Sequence, residues 1–232
     1  MMLDLIFKKS SDLFFKSISR YDKTLIQSAQ RIFIFQSALN LILYYTGFGL
    51  EGSTPKFPAT ISFTIRGGIP LYTNMVVWTA GWTQMMRILL TKGDTLCKGF
   101  SLQMYLTGFL TTYVFPVGFG GMYDQIHGAC AGLYFIYHIV LFKYLRTTTP
   151  YRVGFYTSFG MFLYALFNIR QIEKIHQFRA ESNKQTKEQK EQKLLLDLPL
   201  IVRQKLWWHE LVLMISENTM FLSFLLGMTS SL

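Results

Sequence analysis

Five stretches of this chain contain no Asp, Glu, Lys or Arg: Ile32–Leu50, Gly67–Met86, Gly99–Tyr123, Gln125–Phe142 and Val153–Ile169, with lengths of 19, 20, 25, 18 and 17 residues. A helix needs about 20 apolar residues to cross the hydrocarbon of a bilayer. Charged residues make up only 16% of the 232, whereas ordinary soluble chains carry roughly 25%. The pattern excludes a soluble enzyme and a disordered chain. Two cysteines, Cys97 and Cys130, are too few for a secreted disulfide scaffold. The expected fold is all-α: a polytopic transmembrane helix bundle with no soluble domain.

Six spans are predicted, at about 31–49, 71–91, 101–119, 124–145, 151–169 and 206–228, giving a membrane bundle over 31–228. Residues 1–30 form a basic amphipathic lead-in in which Leu5, Ile6, Phe7, Leu13, Phe14, Phe15 and Ile18 alternate with Lys8, Lys9, Lys16, Arg20 and Lys23. Such a mix suits either a helix lying on an anionic leaflet or a solvated flank. Gly118–Gly121 is short enough to make spans three and four an antiparallel hairpin. The stretch 180–193, rich in Lys, Gln and Glu, lacks apolar periodicity and is expected to be a polar loop within 170–205.

The net charge of +10 would fit a nucleic-acid partner if it formed a patch, but the cations sit between apolar runs. With the N-terminus in the cytosol, twelve fall on inside segments: Lys8, Lys9, Lys16, Arg20, Lys23, Arg31, Arg87, Lys92, Lys98, Lys143, Arg146 and Arg152. Only Lys56 and Arg66 fall on short outside ones. That is the asymmetry of a membrane protein with its basic loops inside, so no nucleic acid is expected. Six spans also leave the 170–205 loop outside, although it carries nine Lys and Arg.

Polar residues inside apolar runs are costly and usually face the bundle interior. At 100° per residue, Asp124, His127, Tyr134 and His138 fall within about 80° of one another, a stripe that begins at the non-cytosolic mouth. Asp124 and His127, at i and i+3, can touch. A carboxylate beside an imidazole suits a general base; a hydrogen-bonded pair that fixes a helix end is the other reading. His127 and His138 are about 16 Å apart along a helix, so they cannot share a metal, and no metal or cofactor is expected. Glu210 and Glu217 share a face of the last span, with Asn218 adjacent. Arg87 is either a phosphate-binding fork or a snorkelling anchor. Trp78, Trp82, Trp207 and Trp208 are expected as interface anchors.

The run Ile61-Ser62-Phe63-Thr64-Ile65-Arg66-Gly67-Gly68-Ile69-Pro70 resembles the first luminal loop of the DRAM/Frag/Sfk membrane proteins. That family carries a Pro, then I/V-S-x-x-I, then a Pro opening the second span and an Arg near its cytosolic end. The matching positions are Pro58, Ile61, Ser62, Ile65, Pro70 and Arg87. Asp124-Gln125-Ile126-His127 resembles the family's acidic-x-I-H at a span start, and Glu210 followed by Asn218 resembles its last-span pair. The motifs run in family order over about 30–225. The chain departs from the pattern at Trp82, where a His is usual, and at Arg170-Gln171-Ile172-Glu173, where a longer His- and Cys-containing run is usual.

The nearest likeness is to the branch of the family that remodels GPI-anchor lipids. It implies a multi-pass protein of the Golgi or endoplasmic reticulum that binds a membrane lipid or GPI-anchored protein. The 55–70 loop, Tyr134, His138, Glu210 and Asn218 would hold the substrate, with His127 and Asp124 as acid–base candidates. Sister branches act in autophagy or lipid organisation. The expectation from a different class is a non-enzymatic accessory subunit of a larger membrane complex, in the mitochondrial inner membrane for example.

Overall fold

Tight caps at one end of the chain's long apolar runs turn those runs into helical hairpins. Ser19 and Asp22 form a capping box: the Ser19 N–H donates to Asp22 Oδ2 at 2.8 Å and the Asp22 N–H to Ser19 Oγ at 3.2 Å. This starts a helix eleven residues before the apolar run expected from 31, and it divides the lead-in in two. Asp94 caps the next turn at that end, accepting from the Cys97 N–H at 2.9 Å.

The computed structural model describes residues 2–48, 57–65, 68–115, 121–176 and 199–230, with Leu232. Among them the regular structure is entirely helical. The elements are α1 (Met2–Ser17), α2 (Arg20–Tyr45), α3 (Ile61–Thr64), α4 (Gly68–Lys92), α5 (Thr95–Phe109) running into a π-helical turn (Leu110–Val114), α6 (Gly121–Tyr144), α7 (Thr149–His176) and α8 (Leu200–Gly227). The connection expected at Gly118–Gly121 lies outside the described residues apart from Gly121, and the 180–193 loop lies wholly outside them.

Cross-helix contacts fix the directions. Phe100 meets Tyr144, Gln103 meets Tyr137 and Thr111 meets His127, so α5 and α6 are antiparallel, as expected. In the same way Phe33 meets Trp82 and Asn40 meets Asn74 across α2 and α4. Tyr164 meets His209, and the Gly154 backbone lies against Ser223, across α7 and α8. Two glycines set how close these seams are. A Cβ at Gly81 would stand 2.8 Å from Phe33 Cε1, and one at Gly108 would stand 2.8 Å from Tyr134 Cε2. Small residues at such seams let helix backbones approach.

Six long helices therefore alternate in direction. Lys23, Lys92, Lys98, Lys143, Arg146 and Arg152 gather at one end, and α3 sits toward the other. Two helices, over Met122–Tyr144 and Leu200–Gly227, are long and apolar enough to cross a membrane, and only 33% of each apolar window is buried. At the basic end the Ser19 main-chain N–H, then its hydroxyl, hold the Asp22 carboxyl below the usual carboxylate range, with Lys92 and Arg87 adding to this.

The core corrects one expectation. Trp82 is not an interface anchor: it is buried between Phe33, Trp78 and Tyr105. Trp207 and Trp208, at the start of α8, are exposed as an anchor would be.

Candidate functional site

The mouth opposite the basic end is built around a backbone irregularity. In the π turn the Phe115 N–H reaches back five residues to the Leu110 carbonyl, at 2.8 Å. The Thr111 carbonyl, which that N–H would have served in an α-helix, is left for another donor. His127 takes it. Its Nδ1 lies 3.1 Å from the Thr111 oxygen and 2.8 Å from the Phe115 oxygen. Both neighbours are acceptors, so Nδ1 carries the proton and Nε2 is left as an acceptor. Such π turns recur at functional sites.

The expected pairing with Asp124 takes a different form. A carboxylate orienting His127 would hold the Nδ1–H, and main-chain carbonyls hold it instead. Asp124 stands half-buried in the first turn of α6. The tautomer that a general base needs is thus fixed without the carboxylate.

The same π turn carries Tyr113 to the neighbouring hairpin. The Tyr113 hydroxyl donates to the Asn74 carbonyl at 3.2 Å and lies 3.3 Å from Asn74 Nδ2. Asn40 Nδ2 donates to Asn74 Oδ1 at 3.0 Å, and Gln36 Nε2 donates to Asn40 Oδ1 at 2.6 Å. Gln36, Asn40 and Asn74 are all buried, and Gln36 Oε1, at the inner end of the chain, is buried with no hydrogen-bond partner among the described residues. Charge-based reading missed these amides because an uncharged Asn or Gln leaves no mark in a charge-free run. The available signal was Gln36 and Asn40 at i and i+4.

The 57–65 segment approaches from the other side. Glu217, buried in the middle of α8, accepts the Ile61 N–H at 2.7 Å and so caps α3 from a different helix. Pro58 and Ile65 are buried beside this contact and Ile61 is partly so, while Ser62 stands in the second position of α3. Phe57 lies between Tyr45 and Trp207, with ring centroids 6.0 and 6.5 Å away. The loop and the last long helix therefore meet, but through Glu217. Asn218 donates instead to the Met214 carbonyl of its own helix at 2.8 Å, and Glu210 is half-buried two turns nearer the mouth. Pro70 opens α4, in the first turn, where its missing N–H costs nothing.

Other candidates lie elsewhere. Arg87 is exposed near Asp22 at the basic end, the full length of α4 away from the loop. Tyr134 and His138 belong to the interior. His138 Nδ1 stays on its own helix, 2.8 Å from the Tyr134 carbonyl, and its ring sits edge-on to Phe224 and Tyr134 with centroids 3.8 and 4.2 Å away. Among the described residues no three of His, Cys, Asp and Glu come together as a metal would require. Compared with family models, with curated proteins and with solved structures, the chain matches none.

Proposed function

We propose that all six long helices cross a membrane, basic end in the cytosol, and that the opposite mouth binds the polar headgroup of a lipid or lipid-anchored protein. In this reading the chain is an endomembrane protein acting in GPI-anchor lipid remodelling. The spanning part is supported by large apolar side chains that point outward from every long helix: Phe35, Val76, Leu102, Ile136, Phe167 and Leu222 are all exposed. In water such a surface would be unstable as a monomer; in lipid it is the expected outer face.

The headgroup part is carried by one observation, the buried amide chain that ends on an unpartnered Gln36 Oε1. Buried polar networks stabilise no more than well-packed aliphatic side chains would, and polar residues at membrane depth mark function. In this reading a hydroxyl or amine donor of the headgroup reaches that acceptor from the mouth, past Asn74 and Asn40. His127, with Nε2 left as an acceptor, would stand at the rim of the same mouth. The link to GPI lipids rests on the order of the family-like motifs.

The test is rescue of GPI-anchored protein sorting in cells that lack their own remodelling factor. Wild type should rescue. His127→Ala should express and localise normally yet fail, and Tyr134→Phe, which keeps the ring packing, should be milder. Full rescue by His127→Ala would remove His127 from the site. No rescue by wild type would remove the GPI reading.

An accessory subunit of a larger complex is the second reading. The aromatic packing around His138, which fills the interior below the mouth, favours it. An accessory subunit should purify only within a stable assembly, and a lipid-remodelling factor largely free of one.

A further inference from the structure

The basic end of the bundle is crossed by α1, which does not run along the other helices. It meets Lys143, Tyr144 and Arg146 at the end of α6 and Lys92 at the end of α4. Phe14, almost fully buried, packs on Tyr144 with ring centroids 5.2 Å apart. Lys143 lies over the Phe7 ring and Arg146 over the Phe15 ring. Arg146 also pairs with Asp12 and donates to Ser11 Oγ, and Ser17 Oγ donates to the Lys92 carbonyl. One face of α1 is thus fastened across the end of the bundle.

The other face has no described residue packed against it and an unusual composition. At 100° per residue, Leu5, Ile6, Lys9, Leu13 and Lys16 fall within an arc of about 100°. Leu5, Ile6 and Leu13 are 72%, 44% and 54% exposed, and both lysines are exposed. No acid lies inside the arc: Asp12 borders it and is held by Arg146. Lys8 and Arg20, both exposed, add cations close by.

We infer that α1 is an interfacial helix that binds the anionic lipid of the cytosolic leaflet through Leu5, Ile6, Leu13, Lys9 and Lys16. Aliphatic side chains enter the boundary between headgroups and acyl chains while lysines beside them reach anionic headgroups. The choice of a lipid surface over water follows from the three aliphatics. The choice of an anionic one follows from the charge, which is of one sign across the face. Position agrees: the helix lies where the outward apolar surface of the bundle, with Leu90 and Val153 among its last members, gives way to cations. This inference rests on the spanning reading above and concerns the end of the molecule opposite the proposed headgroup site.

The experiment places p-benzoylphenylalanine at position 13 in the full chain, reconstituted in vesicles of phosphatidylcholine with or without phosphatidylserine. The same probe at position 76, on the outer face of α4, serves as the control. Lipid adducts should form at both positions. At 13 they should favour phosphatidylserine by about fivefold over its share of the bilayer, a preference expected from lysines at an anionic surface and absent at 76. Lys9→Glu with Lys16→Glu should abolish the preference while the purified chain keeps its melting temperature. Adducts at 76 but none at 13 would overturn the inference and leave the spanning reading intact. Lipid adducts at 13 without preference would overturn the anionic part. In native membranes, an adduct at 13 to an acidic protein in place of lipid would also overturn it.

Discussion

His127 and His138 stand on one face of one helix, three turns apart, and their surroundings differ in kind. Around His127 the neighbours are polar and come from other elements: two freed carbonyls at the end of α5 and, beyond them, the Tyr113–Asn74–Asn40–Gln36 chain. Around His138 the neighbours are rings. Tyr134, Phe135, Phe155, Phe221 and Phe224 surround an imidazole whose Nε2 is buried without a partner. A polar stripe on a helix therefore has two meanings. Near the mouth it marks hydrogen bonding between helices, and deeper it marks a ring used for its shape.

The comparison makes unequal demands on the two sites, and the largest effect belongs to the packed one. His138→Ala opens a cavity among five aromatic rings and should cost about 3 kcal/mol, read as unfolding in mixed micelles. His138→Phe removes the unpartnered Nε2 together with the Nδ1 contact to the Tyr134 carbonyl, keeps a ring in place and should stay within about 1 kcal/mol of wild type. Equal losses from the two would show that the imidazole nitrogen has a role that packing does not explain.

At the mouth, Asn74→Leu breaks the middle of the amide chain, leaves Asn40 Nδ2 without its acceptor and Tyr113 with only the main-chain carbonyl of residue 74, and should cost about 1–2 kcal/mol. If instead it is neutral, the chain contributes nothing to joining α2, α4 and the π turn. His127→Phe should cost about 1 kcal/mol by freeing the Thr111 and Phe115 carbonyls, yet abolish rescue of GPI-anchored proteins. His138→Phe should rescue. The reverse pattern would move the site into the interior.

The smallest effect concerns neither histidine and bounds the comparison. Ser19→Ala removes the N-cap of α2 and should cost roughly 0.5–1 kcal/mol. Asp22 is held below its ordinary value by the same cap, so its contribution is complete above the unfolded-state value near 3.8 and is lost as pH falls through the folded one. The difference in melting temperature between wild type and Ser19→Ala should shrink in that acidic range and stay constant above pH 5.

Charge-free runs made the all-helical class legible, because apolar stretches of 17 to 25 residues leave room for long helices. The antiparallel α5–α6 hairpin was legible from the short Gly-rich link. Helix ends were less so: caps such as Ser19 extend helices into charged sequence, and α7 runs past Arg170 to His176. The sequence singled out His127 and set the 55–70 loop near the last helix, and Ile61 does meet Glu217 there. The partners that hold them were not legible. The Thr111 carbonyl is available only because a π turn withdraws its usual donor, and main-chain irregularity leaves no trace in residue type. Glu217 was seen as a face-mate of Glu210, but nothing in its spacing reveals that it caps a helix 156 residues away in sequence.

In the six-span reading the mouth and the basic end lie on opposite sides of a membrane. Epitopes placed at the N-terminus, after Leu232 and at residue 185 can be challenged with protease in sealed vesicles, where only those outside are cut. Six spans with the basic end in the cytosol predict, in vesicles sealed with the cytosolic face inward, cleavage at 185 alone and protection at both termini. Protection at 185 with cleavage after Leu232 would mean that one long helix fails to cross, and would contradict the six-span reading.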